Sequence, residues 1–342
     1  MISDIVARYV TLFSERSLTE RTSAHRRADV ADLRLSLVVP VYNEAEGLAL
    51  FVGRVGKVFD NEPGVSVEIV FVNDGSTDDT LNRLLDFLEQ GRRIRVVDLS
   101  RNFGKEAALT AGLQAATGEV VVPIDVDLQD PPELIPELIA KWREGYDVVL
   151  ARRINRRGDR WAKRVSASWF YRIHNWIADP MIPENVGDFR LMDRAVVDAL
   201  KQLPESRRFM KGLFAWVGYR TTSVGYSRPE RAVGRSKLKG WQLWNLALEG
   251  LTSFSTAPLR IWTYLGGAVA LSSFFYGLAI VVRVLLFGVD TPGYASVFVA
   301  VSFLGGLQLI GIGAIGEYLG RTYFEAKRRP VYLVRNIYEP KD

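Results

Sequence analysis

From residue 33 onward, apolar runs and polar breaks alternate at short intervals. Leu35-Ser36-Leu37-Val38-Val39 is a run stopped by Pro40, and an amphipathic stretch predicts a helix from about 45 to 59. Val67 to Val72 is a second run, broken by Asn73-Asp74-Gly75-Ser76-Thr77-Asp78. Ser76 or Thr77 suits the cap of a helix over 79–90. Ile94 to Leu99 is a third run, Glu106 to Ala116 a third helix, and Val120 to Ile124 a fourth run. Strands alternating with helices in this way predict a mostly parallel α/β sheet covered on both faces.

In such a sheet the loops that follow the strands share one edge, and ligands bind there. Three strand ends are polar: Tyr42-Asn43-Glu44, Asn73-Asp74-Gly75-Ser76 and Asp125-Val126-Asp127. Asp125 and Asp127 are two hard oxygen ligands, suited to Mg²⁺ or Mn²⁺ carrying a substrate diphosphate. A solvated acidic turn has the same spacing. The convergence of three loops on one edge is therefore stronger than the Asp-x-Asp pair alone.

Beyond the strand Val148 to Leu150 the pattern changes. Arg152, Arg153, Arg156, Arg157, Arg160, Lys163 and Arg164 form a basic window, read as a solvated face, an anion site or a membrane-facing patch. Trp161, Val165, Trp169, Phe170, Ile173, Trp176 and Ile177 make a helical stripe that fits either a core or a bilayer interface. Gly234-Arg235-Ser236-Lys237 is a basic loop. It precedes Leu238 to Phe254, an expected helix in the membrane surface with Trp241, Trp244, Leu248 and Leu251 on one face.

Ile261 to Val282 and Ala295 to Gly316 contain no charge, and each has the roughly 20 residues needed to cross a bilayer. The cationic residues Arg260, Arg321, Lys327, Arg328 and Arg329 flank the outer ends of this hairpin, so both termini are expected in the cytoplasm. Arg283, near the connecting loop, can snorkel to the far interface. Gly266-Gly267, Gly305-Gly306, Gly311 and Gly313 permit close helix contact, within or between subunits. At the other end, Ile2, Ile5, Val6, Tyr9, Val10 and Phe13 form a helical stripe without the features of a signal peptide.

Composition narrows the chemistry. The 342 residues allow more than one domain, the absence of Cys excludes disulfides and thiolate metal sites, and two His exclude a His-based cage. A net charge of +5 comes without a nucleic-acid motif, so no nucleic-acid partner is expected.

Val39-Pro40-Val41-Tyr42-Asn43-Glu44, Val72-Asn73-Asp74-Gly75-Ser76-Thr77-Asp78, Arg101-Asn102-Phe103-Gly104-Lys105 and Asp125-Val126-Asp127-Leu128-Gln129-Asp130-Pro131 resemble, in order, the family 2 glycosyltransferases. Within them the chain is most similar to the polyprenyl-phosphate glycosyltransferases. The resemblance implies a GT-A, Rossmann-like α/β domain over 33–230. An N-terminal helix and linker (1–32) would precede it. Interfacial amphipathic helices (231–260), a two-helix transmembrane hairpin (261–319) and a cytoplasmic tail (320–342) would follow. The implied reaction moves a sugar from a UDP-sugar to polyprenyl (undecaprenyl) phosphate, inverting and metal-dependent. It takes place at the cytoplasmic face of the cell membrane, with glucose the first choice. Mannose, N-acetylglucosamine and aminoarabinose are alternatives, and a non-catalytic membrane scaffold is another. The resemblance also implies a homo-oligomer, with a tetramer expected.

By the same resemblance, Pro40, Tyr42 and Glu44 line the uridine pocket. Asp74 accepts from the base or ribose, and Asp125 meets the ribose or sugar. Asp127 binds the metal, with Gln129 completing the metal or diphosphate site. Asn185-Val186-Gly187-Asp188-Phe189-Arg190 resembles the acceptor-side loop. A phosphate monoester with a second pKa near ~6 is already mostly dianionic at neutral pH, so no dedicated base is required. Arg152, Arg153, Arg235 and Lys237 are the expected acceptor-phosphate ligands, and Asp159 and Asp188 candidate bases or sugar ligands.

Overall fold

The computed structural model describes residues 27, 32–60, 62–154, 183, 185–205, 208–227, 257–287 and 293–340. Asp159, Arg235, Lys237, the aromatic stripe over 161–177 and the segment 238–254 lie outside the described residues.

The chain divides into two compact units. The first is a layered α/β domain. In chain order it contains β1 (Leu33–Val41), α1 (Leu48–Phe59), β2 (Val65–Asn73), α2 (Thr80–Glu89), β3 (Ile94–Leu99), α3 (Lys105–Ala115) and β4 (Val120–Pro123). It continues with α4 (Ile135–Arg143), β5 (Val148–Arg153), β6 (Val186–Asp193), α5 (Arg194–Lys201), α6 (Met210–Trp216) and β7 (Thr221–Tyr226). The second unit holds α7 (Ala257–Phe287) and α8 (Tyr294–Ala326), after which β8 (Val334–Tyr338) returns to the first.

The eight strands form one sheet in the order β7-β5-β6-β4-β1-β2-β3-β8. The stretch β4-β1-β2-β3 is parallel, as the alternation of strands and helices predicts. The rest is mixed: β6 runs antiparallel to both β4 and β5, and β8 antiparallel to β3. This mixed, Rossmann-like sheet is the α/β architecture expected of a GT-A domain.

The pleat sorts β2 between two cores. Ile69 and Phe71 join a cluster with Leu35, Leu37 and Phe51, while Val70 and Val72 join Ala108 and Ala111 of α3 on the other face. On that second face a Cβ on Gly112 would lie 2.3 Å from Val38 Cγ1, so only glycine lets α3 come this close to β1. The antiparallel entry of β6 has a functional consequence. It brings the start of β6, with Gly187 and Asp188, to the edge where β1, β2 and β4 end.

In the second unit α7 and α8 are 31 and 33 residues long. Among the described residues one window, Phe303–Ala326, is both long and apolar enough to cross a membrane. Gly311 lies against the Trp262 ring, where a Cβ would sit at ordinary contact distance, 3.5 Å. Large apolar side chains such as Phe274, Leu285, Phe287, Val301 and Leu309 are exposed along both helices.

Candidate active site

The first polar loop follows β1. Pro40 is half-buried beside Val72 of β2, Tyr42 is exposed, and Glu44 is half-buried with its N–H donating to Thr80 Oγ1 at 3.0 Å. Asn43 adopts a positive φ of 54°, a conformation its short side chain tolerates. Its Oδ1 accepts from Thr77 N–H at 2.8 Å, and its own N–H donates to Ser76 Oγ at 3.0 Å. The loops after β1 and β2 are thus laced together.

Asp74 is buried, and its two oxygens accept the N–H groups of Phe103 at 2.7 Å and Gly104 at 2.9 Å. Burial raises its carboxyl above the usual range, against those two donors and the Arg101 charge. Whatever it contributes to a ligand, Asp74 also clamps the Arg101–Lys105 loop onto the end of β2. Gly75 makes the approach possible. Its φ is +65°, and a Cβ there would lie 2.4 Å from the Arg101 carbonyl carbon.

In the Asp-x-Asp loop after β4, buried and half-buried residues alternate. Val126, Leu128 and Asp130 are buried, whereas Asp125, Asp127 and Gln129 are half-buried. Asp127 Oδ1 accepts from the Gln129 N–H at 3.1 Å. Beneath them Asp130 accepts from the Tyr226 hydroxyl at 2.5 Å, and that hydroxyl accepts from Arg153 Nε at 3.3 Å. Burial, with the Asp130 charge behind it, pushes the Tyr226 phenol up to about 12. Arg153 therefore turns inward and braces the loop, while its neighbour Arg152 is exposed.

At the centre stands Lys105, in the first turn of α3. Its Nζ lies 2.7 Å from Asp125 Oδ1 and 3.0 Å from Asp188 Oδ2, joining the Asp-x-Asp loop to the start of β6. Burial alone would lower this ammonium; the Asp188 and Asp125 charges outweigh it and hold it above the ordinary lysine range. Burial pushes the Asp188 carboxyl up, but Lys105, Lys211 and Arg190 overcome that and bring it down to about 2. Asp188 Oδ1 is buried and has no hydrogen-bond partner among the described residues.

Arg190 supports this loop from within. It donates to the Gly187 carbonyl at 2.8 Å, and its guanidinium lies over the Phe214 ring at 4.0 Å. Burial lowers it to about 10 despite Asp188. Glu106, beside Lys105, is pushed by burial and then by the Asp188 charge up to about 8. Sequence reasoning assigned no role to Lys105, Glu106, Lys211 or Tyr226. Lys105 did carry a signal: a cation in the first turn of a helix opposes the helix dipole and calls for a nearby carboxylate.

The description "Glycosyl transferase family 2" matches residues 36–201, which span every strand-end loop just described up to β6 and α5. The chain belongs to glycosyltransferase family 2. It is 53% identical over 306 residues to an uncharacterized glycosyltransferase of Synechocystis sp., covering 90% of this chain and 96% of that one. It is 52% identical to a prophage bactoprenol glucosyl transferase homolog of Escherichia coli K12, over 89% of this chain and 99% of the relative. A bactoprenol glucosyl transferase of Shigella phage SfV is 53% identical, with the same two coverages. Within the family, the chain falls among the polyprenyl-phosphate glycosyltransferases, enzymes of hexosyl transfer, which sets aside the scaffold alternative. Among solved structures, glucosyl-3-phosphoglycerate synthase from Mycobacterium tuberculosis aligns with a TM-score of 0.46 and 20% identity, over 65% of this chain and 77% of that one.

Proposed function

We propose that the enzyme transfers glucose from UDP-glucose to undecaprenyl phosphate, with inversion at the anomeric carbon, on the cytoplasmic face of the membrane. The observation that carries this reading is Lys105, which contacts Asp125 and Asp188 at once, so the donor-side and acceptor-side loops meet at one crevice. The names of the Escherichia coli and Shigella phage relatives support glucose and the polyprenyl acceptor.

In this reading Pro40, Tyr42 and Glu44 line the uridine pocket, with Asp74 accepting from the base or ribose and Asp125 toward the ribose or sugar. Asp188 Oδ1, buried and unmatched, suits a hydroxyl of the sugar. The lipid phosphate arrives as a dianion and needs positioning more than deprotonation, by Arg152, Arg153, Arg235 and Lys237. Asp159 remains a candidate base or sugar ligand.

Asp127 and Gln129 would hold Mg²⁺ or Mn²⁺. Among the described residues no group of three or more His, Cys, Asp or Glu could hold a metal. A few hard oxygens with a diphosphate and water fit these two ions, which are bound through one or two carboxylates and substrate phosphates. When bound, the metal supplies charge neutralisation for the departing UDP.

The exposed apolar side chains on α7 and α8 support a membrane hairpin with both termini cytoplasmic and the 288–294 loop outside. Labelling single cysteines introduced into this Cys-free chain tests it; outside-only labelling near Lys327 rejects it. Glycine-rich helix faces support a homo-oligomer, with a tetramer first; a monomer mass in both detergent and nanodiscs rejects that.

The functional test is a screen of radiolabelled nucleotide sugars with undecaprenyl phosphate, with and without chelator. Metal-dependent glucosyl lipid from UDP-glucose is expected. A different preferred sugar replaces the donor assignment, and transfer that survives chelation removes the metal.

A further inference from the structure

The eighth strand comes from the far end of the chain, after both long helices, and lies antiparallel on β3. Opposite Asn336 of this strand is Asp98 of β3, 1% exposed. This carboxylate accepts from Asn73 Nδ2 at 2.7 Å and faces Arg335 Nη1 of β8 at 3.4 Å. Arg335 Nη2 donates at the same time to the Ser100 carbonyl at 2.7 Å. The Ser100 N–H donates back to the Leu333 carbonyl at 2.9 Å.

Asn73 carries the contact onward. Its Oδ1 accepts from the Ser76 N–H at 3.3 Å, and Ser76 Oγ accepts from the Asn43 N–H at 3.0 Å. One amide thus touches Asp98 with its nitrogen and the Ser76 backbone with its oxygen. A continuous polar path runs from the C-terminal strand to the loop that bears Tyr42 and Glu44.

We propose that β8 braces the nucleotide pocket, with Arg335 a positioning residue that holds Asn73, and through it the 43–76 lacing, by way of Asp98. A carboxylate this buried needs a counter-charge, and removing one partner of such a pair leaves an uncompensated charge. Without Arg335, Asp98 draws on Asn73 or takes in water, and either change moves the amide that orients Ser76. The fork of the guanidinium spans Asp98 and the Ser100 carbonyl together, which a lysine cannot reproduce in full. The inference rests on the reading of the 40–44 and 73–78 loops as the nucleotide pocket, and extends that pocket's support to the last strand of the chain.

The test uses the full chain in nanodiscs. It measures UDP binding by calorimetry, KM for UDP-glucose and for undecaprenyl phosphate, kcat and Tm. The variants are Arg335→Met, Arg335→Lys, Tyr42→Ala and the double change Asp98→Asn with Arg335→Met. Arg335→Met should weaken UDP binding and raise the donor KM about five- to tenfold, a charge-assisted contact discounted for the exposure of Arg335. The lipid KM should stay unchanged. Arg335→Lys should fall between. The double variant should bind UDP better than Arg335→Met, because it leaves no buried charge unpaired. A lower Tm with an unmoved donor KM, or equal changes in both KM values, overturns the proposal and leaves β8 a purely structural edge. If Tyr42→Ala weakens UDP binding and Arg335→Met does not, the brace is wrong and the pocket reading stands. If Tyr42→Ala has no effect on UDP binding, the pocket reading falls and the brace falls with it.

Discussion

In the proposed reading, the two sides of the crevice are held by different forces. On the donor side, after β1 and β2, the contacts are hydrogen bonds to backbone: Asp74 accepts two N–H groups, and Asn43 accepts one from Thr77. At the start of β6 the contacts are ionic: the charges of Lys105, Lys211 and Arg190 act on Asp188, and those of Asp188 and Lys105 on Glu106. Backbone donors do not titrate, so on that side Asp74 is the one ionisable group in these contacts. A cluster of charges responds to any charge that enters it. Lys105 is the one link between the two sides among the contacts described, through Asp125 and Asp188.

The largest effect is expected at the proposed metal ligand of the Asp-x-Asp loop. Asp127→Asn should lower turnover about a thousandfold, the scale of losing one electrostatic contact to a developing charge, while Tm stays near that of the parent. Near-normal turnover at low metal would detach Asp127 from the chemistry.

Next comes the donor side. Gly75→Ala forces a Cβ into the Arg101 backbone from a positive-φ position. Strain of this kind costs about 1–3 kcal/mol. Calorimetry should show UDP binding weakened by about tenfold or more, with the lipid KM unmoved; comparable loss for both substrates would mean that the two sides are not separate.

On the charged side, Lys105→Met should reduce kcat about tenfold, allowing for the half-exposed ammonium. The donor KM should rise less than kcat falls. A change confined to the donor KM would move Lys105 to the donor side.

The smallest effect is a pH dependence of stability. Glu106 titrates near 8 in the fold against 4.5 ordinarily, so the folded chain holds an extra proton between those values. Its contribution is complete below 4.5 and is lost as the pH rises through 8. Asp188, brought down to about 2, acts in the opposite sense: its contribution is present above 3.8 and fades as pH falls toward 2. Glu106→Gln should therefore raise Tm by about 2–4 °C at pH 8.5 and leave it unchanged at pH 4. An equal shift at both pH values would show that Glu106 is not held protonated.

Much of the parallel half of the sheet is legible along the chain. Runs such as Leu35 to Val39 and Val67 to Val72 are strands bounded by their own turn residues, and β4 follows the same rule. The mixed half is not legible in this way. β8 is a five-residue strand whose side chains are mostly exposed, and a run this short is hard to tell from a tail. Arg153 reads from sequence as an acceptor-phosphate ligand at a strand end, yet its side chain contacts Tyr226 and the buried Asp130, because the β5–β7 pairing brings that phenol alongside.

What the order of residues determines by itself is local: the strand runs, the polar strand ends, the Asp-x-Asp pair and the family motifs. These depend on side-chain periodicity and turn chemistry within a few positions. Only the tertiary structure decides that Asp188 meets Lys105, that Asp74 clamps the Phe103–Gly104 backbone, and that Arg335 reaches Asp98. Each joins segments distant in sequence, and each follows from where β6 and β8 enter the sheet or how α3 packs on it. That choice comes from the burial of whole faces, which no short stretch of sequence encodes.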